Sequence, residues 1–292
     1  MFLMRIPLYL TWLLFFFVFS ILIVLYFRLL VRFIDWNNKI LVNAFRKIDF
    51  NILLIIILDS VFYLLAAGSF FLWDKFMKAK ASAINLPKDP NEIVNTLASL
   101  GPEKAQQLAS EVKSYFFLLL FSFIAVVIFI IFLAGIFKGI IWAKTTKTKI
   151  SLKFMSGFLL LNAIWVGFWA VIIFLISYIV NPESVQIFFF IAFIAAIYFT
   201  NILYPIFMRR QRLNSIGTAI KIGTAKIHLF VLPNLIIFLI LFILIWAAGK
   251  LAFNYSFFVT AFILIAYAAL VRYYVSELAY RAEMQYRERQ KD

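Results

Sequence analysis

Asp59 is the only acidic residue that falls inside a long apolar run of this 292-residue chain, and any chemistry within those runs would begin there. It stands roughly nine positions into the run Ile52 to Trp73, about 13 Å along a helix rising 1.5 Å per residue. An ionised carboxylate at membrane depth costs about 2.5–3.5 kcal/mol on insertion scales, so such a group is expected to face the bundle interior and to have a partner. Asn162, Thr200, Asn201 and Asn234 lie at similar depth in three other runs, measured from the ends that border basic loops. Together with Asp59 they define a candidate polar layer able to share protons, hold a small cation or hydrogen-bond a solute. The competing reading is structural: the amides tie helices together, while Asp59 is protonated or satisfied by Ser60, Tyr63 or backbone.

Other residue types offer less. The chain has no cysteine, which excludes thiol catalysis, disulfides and cysteine metal sites. It has no HExxH, GxSxG or GxxxxGK[ST] motif, and one intramembrane acid cannot form a carboxylate pair. No catalytic residue, cofactor or metal is expected. The single His228 lies at the mouth of a run with no second histidine or acid beside it and reads as interfacial. Pro233, next to Asn234, reads as a first-turn proline, where its missing N–H is harmless, or else as a break that frees a carbonyl for a site.

The elements that must position these residues follow from composition. The chain is 65% hydrophobic and 14% charged, with a mean hydropathy of +1.01, whereas soluble domains are about 25% charged. About 20 apolar residues cross a hydrocarbon core, and seven runs reach that length: Ile6–Phe27, Ile52–Trp73, Tyr115–Phe137, Phe154–Val180, Val185–Phe207, Leu229–Gly249 and Phe257–Tyr274. The runs are continuous rather than alternating, so the expected fold is an all-α polytopic transmembrane bundle and not a β-barrel. Seven spans become six if the first run only lies in the interface. Residues 1–292 then form one integral membrane domain. Residues 74–114 form an extracytoplasmic helical insertion, with Asp89-Pro90 and Gly101-Pro102 marking helix starts, and 275–292 form a charged helical tail.

Basic residues set the orientation. Three elbows, Arg28–Lys47, Lys138–Lys153 and Arg209–Lys226, each carry five Lys or Arg and the tail carries four, while the 74–114 insertion is nearly balanced by acids. Loops rich in Lys and Arg stay inside, so the N-terminus is expected outside and the C-terminus in the cytoplasm. The tetrads Lys47–Phe50, Lys149–Leu152 and Lys226–Leu229 share the order Lys, Ile, any residue, then Phe or Leu, and each launches an apolar run. The four-residue turn Asn181–Ser184 forces an antiparallel hairpin. A net charge of +15 could suit nucleic acid, but the cations are parcelled into loops and most of the 37 phenylalanines sit in the spans, so no nucleic-acid partner is expected. Lys47, Lys149, Arg209, Arg210, Arg212 and Lys226 are instead candidate contacts for anionic headgroups.

Gly135 and Gly139 form a GxxxG pair suited to close helix approach within the chain or between copies. Glu277 with Arg281, and Glu283 with Arg287, are spaced i to i+4 and read as support for a solvated tail helix. These features describe an integral membrane protein, and two functions fit them. One is a non-enzymatic component handling a small solute, ion or lipid through the polar layer. The alternative is a scaffold or assembly subunit that binds a protein partner, or a second copy, through residues 74–114 and the tail.

Overall fold

Inside a bilayer a backbone N–H finds no water, so a long apolar run satisfies its own hydrogen bonds by forming a helix. A computed structural model of the chain describes residues 34–83, 102–251 and 256–288, and all regular structure among them is helical. The elements are α1 (34–47), α2 (Asn51–Ala83), α3 (Pro102–Thr146), α4 (Leu152–Ile179), α5 (Val185–Arg210), α6 (Ser215–Ala225), α7 (Ile227–Leu251) and α8 (Ser256–Glu288). Six of them, α2, α3, α4, α5, α7 and α8, are long and apolar enough to cross a membrane. The expected first crossing, Ile6–Phe27, lies outside the described residues, as does the stretch that joins α2 to α3.

The three Lys-Ile tetrads stand where helices begin: directly before α2, at the start of α4 and at the start of α7. Ser151 caps α4, its hydroxyl accepting from the Phe154 N–H at 3.1 Å, which satisfies one of the first-turn donors that have no helical partner. The chain leaves α3 through Lys147 and α5 through Gln211, both left-handed, with φ of 56° and 51°. A left-handed residue closes a helix end, and here no glycine supplies it. The α4–α5 connection is as tight as its turn residues imply.

Three expectations about the elbows are corrected. The first elbow contains a helix, α1. In the second, α3 stays helical through Thr146, so Lys138 and Lys144 belong to a helix and only 147–151 form the connection. The third folds into the short helix α6, followed at once by α7. Because α7 begins at Ile227, Pro233 is its seventh residue rather than a first-turn proline. It therefore removes one internal hydrogen bond.

The packing runs α2 on α3, α3 on α4 and α4 on α5, with α8 contacting α2, α3, α5, α6 and α7. The core gathers Trp142, Phe158, Trp165, Tyr204 and Phe207 from α3, α4 and α5 with Ile222 of α6 and Leu278 of α8. Gly135 and Gly139 face α4. A Cβ added at Gly139 would lie 2.9 Å from the fully buried Phe158 ring, and one at Gly135 would lie 2.4 Å from Leu159 Cδ2. The GxxxG face is thus used inside the chain. Outward-facing Phe, Leu and Ile side chains cover α2 to α5 and α7, as expected of surfaces that meet acyl chains.

The tail is one helix with the last span. Its residues Val275, Leu278, Ala279 and Ala282 are buried, as are Glu277 and Glu283. The solvated reading of those acids is overturned. The tail packs because its small and apolar residues repeat at helical spacing and meet α1, α5 and α6.

Candidate functional site

The Asp59 carboxylate is held by two cations from two other helices. Arg272 of α8 grips it in bidentate fashion, one guanidinium nitrogen on Oδ2 and the other donating to Oδ1 at 3.1 Å. Lys138 Nζ of α3 donates to Oδ1 at 2.7 Å. The side chains are 1%, 11% and 17% exposed for Asp59, Arg272 and Lys138. Lys138 also lies 4.8 Å from the ring centroids of both Phe62 and Tyr63, within cation–π range. Antiparallel pairing of α2 with α3 puts residues 59 and 138 at one level, and α8 brings Arg272 to the same place. The partners are therefore cations, and neither Ser60 nor the Tyr63 hydroxyl serves: Ser60 Oγ donates to the Ile56 carbonyl, and Tyr63 offers its ring.

The amides at the same depth are placed elsewhere. Asn162 of α4 is 2% exposed; its Nδ2 donates to the Ile131 carbonyl at 3.2 Å and its Oδ1 accepts from the Tyr204 hydroxyl at 2.7 Å. Thr200 donates to the Ala196 carbonyl and accepts from Trp165 Nε1 at 2.8 Å. These two groups share the α4–α5 seam. Asn201 is half-buried, and Asn234 Nδ2 donates to Phe230 O within α7. None of the four bonds to Asp59.

Two further carboxylates on α8 repeat the pattern. Glu277 takes Lys47 of α1 at 2.5 Å and Arg281 at 3.1 Å. Glu283 takes Arg209 and Arg210 of α5 at 2.9 and 2.8 Å and Arg287 at 2.7 Å. Arg210 then reaches Thr218 of α6 at 2.8 Å. So α8 is fastened to α2 and α3 through Arg272, to α1 through Glu277 and to α5 through Glu283. Each cluster holds more cations than carboxylates.

Of the candidate headgroup contacts, Lys47, Arg209 and Arg210 are thus engaged by α8, Lys226 is buried, and Lys149 and Arg212 are exposed. A separate pair, Lys147 with Asp49 at 3.0 Å, joins the α3–α4 connection to the α1–α2 turn. That hydrogen bond holds the Asp49 carboxyl below the ordinary aspartate range. Among the described residues no three or more His, Cys, Asp or Glu side chains come together as metal ligands.

Lys138 and Arg272 carry unequal signals in the sequence as partners of Asp59. Hydropathy places Lys138 with a loop, although a lysine at a span end can turn its stem either way. Arg272 gave a usable signal, as the only basic residue in the run Phe257–Tyr274. The chain matches no family model, no curated protein and no solved structure.

Proposed function

We propose that this protein is a non-enzymatic integral membrane component, its basic face cytoplasmic, that handles a small anionic solute or anionic lipid at the charged layer around Asp59. The observation that carries this reading is a buried carboxylate pinned between two cations, leaving one positive charge in excess. Apolar side chains of similar volume would fill the same space without desolvating three ions, and ionisable groups within spans usually mark use. The cations keep more exposure than the carboxylate, so an approaching anion meets them first and competes with Asp59. Asn162, Thr200 and Asn234 take no part in it, because their polar groups are already engaged in the α4–α5 seam and within α7.

The test uses proteoliposomes. The probes are labelled inorganic phosphate, chloride and a fluorescent phosphatidylglycerol whose inner-leaflet fraction is read by quenching. Movement of at least one probe above protein-free vesicles, abolished in the charge-free Asp59→Asn/Lys138→Gln/Arg272→Gln variant, is the expected result. Rates equal to protein-free vesicles for all three probes would overturn the reading.

The scaffold reading keeps one supporting observation. At 33 and 45 residues, α2 and α3 are about 50 and 67 Å long, against roughly 30 Å of hydrocarbon. The surplus gives a partner protein a rigid surface to grip. Deleting 87–110 should then free a co-purifying protein, and a lone monomer from mild detergent would count against that role.

A further inference from the structure

A cavity of about 460 Å³ lies between α1, α7 and α8, within the range of small-ligand sites. Its wall is almost wholly apolar, with Leu41 and Phe45 from α1, Pro233 and Ile237 from α7, and Val271 and Tyr274 from α8. Polar side-chain atoms enter mainly through Asn37 and Asn38 of α1 and the tyrosines of α8. The Tyr274 hydroxyl donates to Asn37 Oδ1 at 2.8 Å, which fixes that amide.

The helix over this cavity has two faces. Ile34, Asn37, Asn38, Leu41, Phe45 and Ile48 repeat at helical spacing and line the space. Asp35, Lys39 and Arg46 repeat on another side and are exposed. An amphipathic helix with basic residues on its polar face lies in the membrane interface. Both of its partners here, α7 and α8, are candidate spans. The cavity thus sits just below headgroup level, where the medium that reaches an apolar space is hydrocarbon rather than water.

We infer that this cavity binds one acyl chain of an anionic phospholipid, with the phosphate held at the rim beside Asn37 and Asn38 and the exposed Lys39 on the adjoining side of α1. The chain lies against Leu41, Ile237 and Val271, and the amides donate to the phosphate oxygens. The cavity lining itself holds no charged residue, so the charge preference follows from the excess of basic over acidic residues in the connections that flank α1, α7 and α8. The site occupies the flank of α8 next to that carrying Arg272, so bound lipid and the Asp59 cluster bear on one helix. This inference rests on the proposed handling of an anion and names the class of molecule handled.

The experiment uses the full chain in phosphatidylcholine nanodiscs containing a phosphatidylglycerol with a photoreactive group on its acyl chain. The expected result is saturable labelling concentrated in 34–45, 232–240 and 267–274. Filling the cavity with Val271→Trp, or with Ile236→Trp should the first fail to fold, should cut that labelling about tenfold. Leu175→Trp, on an outward-facing position of α4, should leave it unchanged. Labelling spread evenly over outward-facing helices, or insensitive to both cavity variants, would overturn the inference. So would a photoreactive residue at 237 that captures another segment of this chain or a second copy instead of lipid. Cavity labelling without anion movement in proteoliposomes would keep this site and remove the proposed function; movement without labelling would do the reverse.

Discussion

Replacing Asp59 with asparagine should destabilise the bundle strongly, and the size of the effect can be worked from the geometry. At an effective dielectric near 20, the Lys138 contact at 2.7 Å is worth about 6 kcal/mol of gross attraction. Arg272 adds a comparable amount through two bonds. Against these stand the mutual repulsion of the two cations and a desolvation cost of several kcal/mol per ion. Asparagine keeps the shape but removes the charge, so both cations remain in place with nothing to neutralise them. Loss of one partner from a buried ion pair typically costs about 3–5 kcal/mol, equivalent to a hundredfold or more in the folded population at about 1.4 kcal/mol per tenfold. Removing all three charges together, as in Asp59→Leu/Lys138→Met/Arg272→Met, should be neutral or stabilising by about 1–4 kcal/mol. Equilibrium unfolding in mixed micelles measures both variants. An Asp59→Asn protein within about 1 kcal/mol of the parent would refute the reasoning, because it would mean that the cations do not depend on this carboxylate.

Four further outcomes are expected. Glu283→Gln releases Arg209, Arg210 and Arg287 and should cost about 3 kcal/mol, near the low end for buried pairs because the arginines are partly exposed; limited trypsin digestion should then cut faster at Arg212 and Lys221 as α6 loosens. Gly139→Val presses on the buried Phe158 ring and should cost about 1–3 kcal/mol by unfolding titration, whereas Gly68→Ala, with open space around it, should be neutral or stabilising by up to about 1 kcal/mol. Asn162→Leu strands the buried Tyr204 hydroxyl at about 1–3 kcal/mol, and adding Tyr204→Phe should recover much of that loss. The Asp49 carboxyl titrates below its unfolded value because of Lys147. Its contribution is therefore complete above the ordinary aspartate range and is lost as pH falls through the lowered folded value. Lys147→Met should flatten that acid limb only slightly, since the pair is partly exposed.

How far the chain could be read in advance depended on which physical signal each feature carries. Hydrophobic runs of span length are local, and those that became α2 to α5, α7 and α8 were legible from them; so were the turn at 181–184 and the helix starts after Lys47, Lys149 and Lys226. Burial of Asp59 was legible from cost alone. Its partners were not, because Lys138 and Arg272 lie 79 and 213 positions away, and hydropathy assigns a cation at a span end to the loop by default. The tail shows the same limit. Its i to i+4 pairs are sequence-local and gave the right bonds, yet Lys47, Arg209 and Arg210 approach from distant elements and turn a seemingly solvated face into a buried one. Pro233 was misplaced by only a turn, but that turn separates a harmless proline from one that removes a helical bond.

Orientation follows from labelling. The chain has no cysteine, so single cysteines placed at Lys149, Asn214 and Glu183 report sidedness directly. The first two should react from the cytoplasmic side and the third from the opposite side. Cysteines at 149 and 214 on opposite faces would break the arrangement of basic connections at one end.

The central claim is that α8 closes the bundle through charge, with Arg272 bound to Asp59. A double-mutant cycle on Asp59→Asn and Arg272→Gln, read by equilibrium unfolding, tests it most directly. A coupling of at least about 1.5 kcal/mol, with the double variant more stable than the sum of the two single losses predicts, is the expected result. Additive losses, within about 0.5 kcal/mol, would contradict it and would leave Asp59 without the partner on which this account depends.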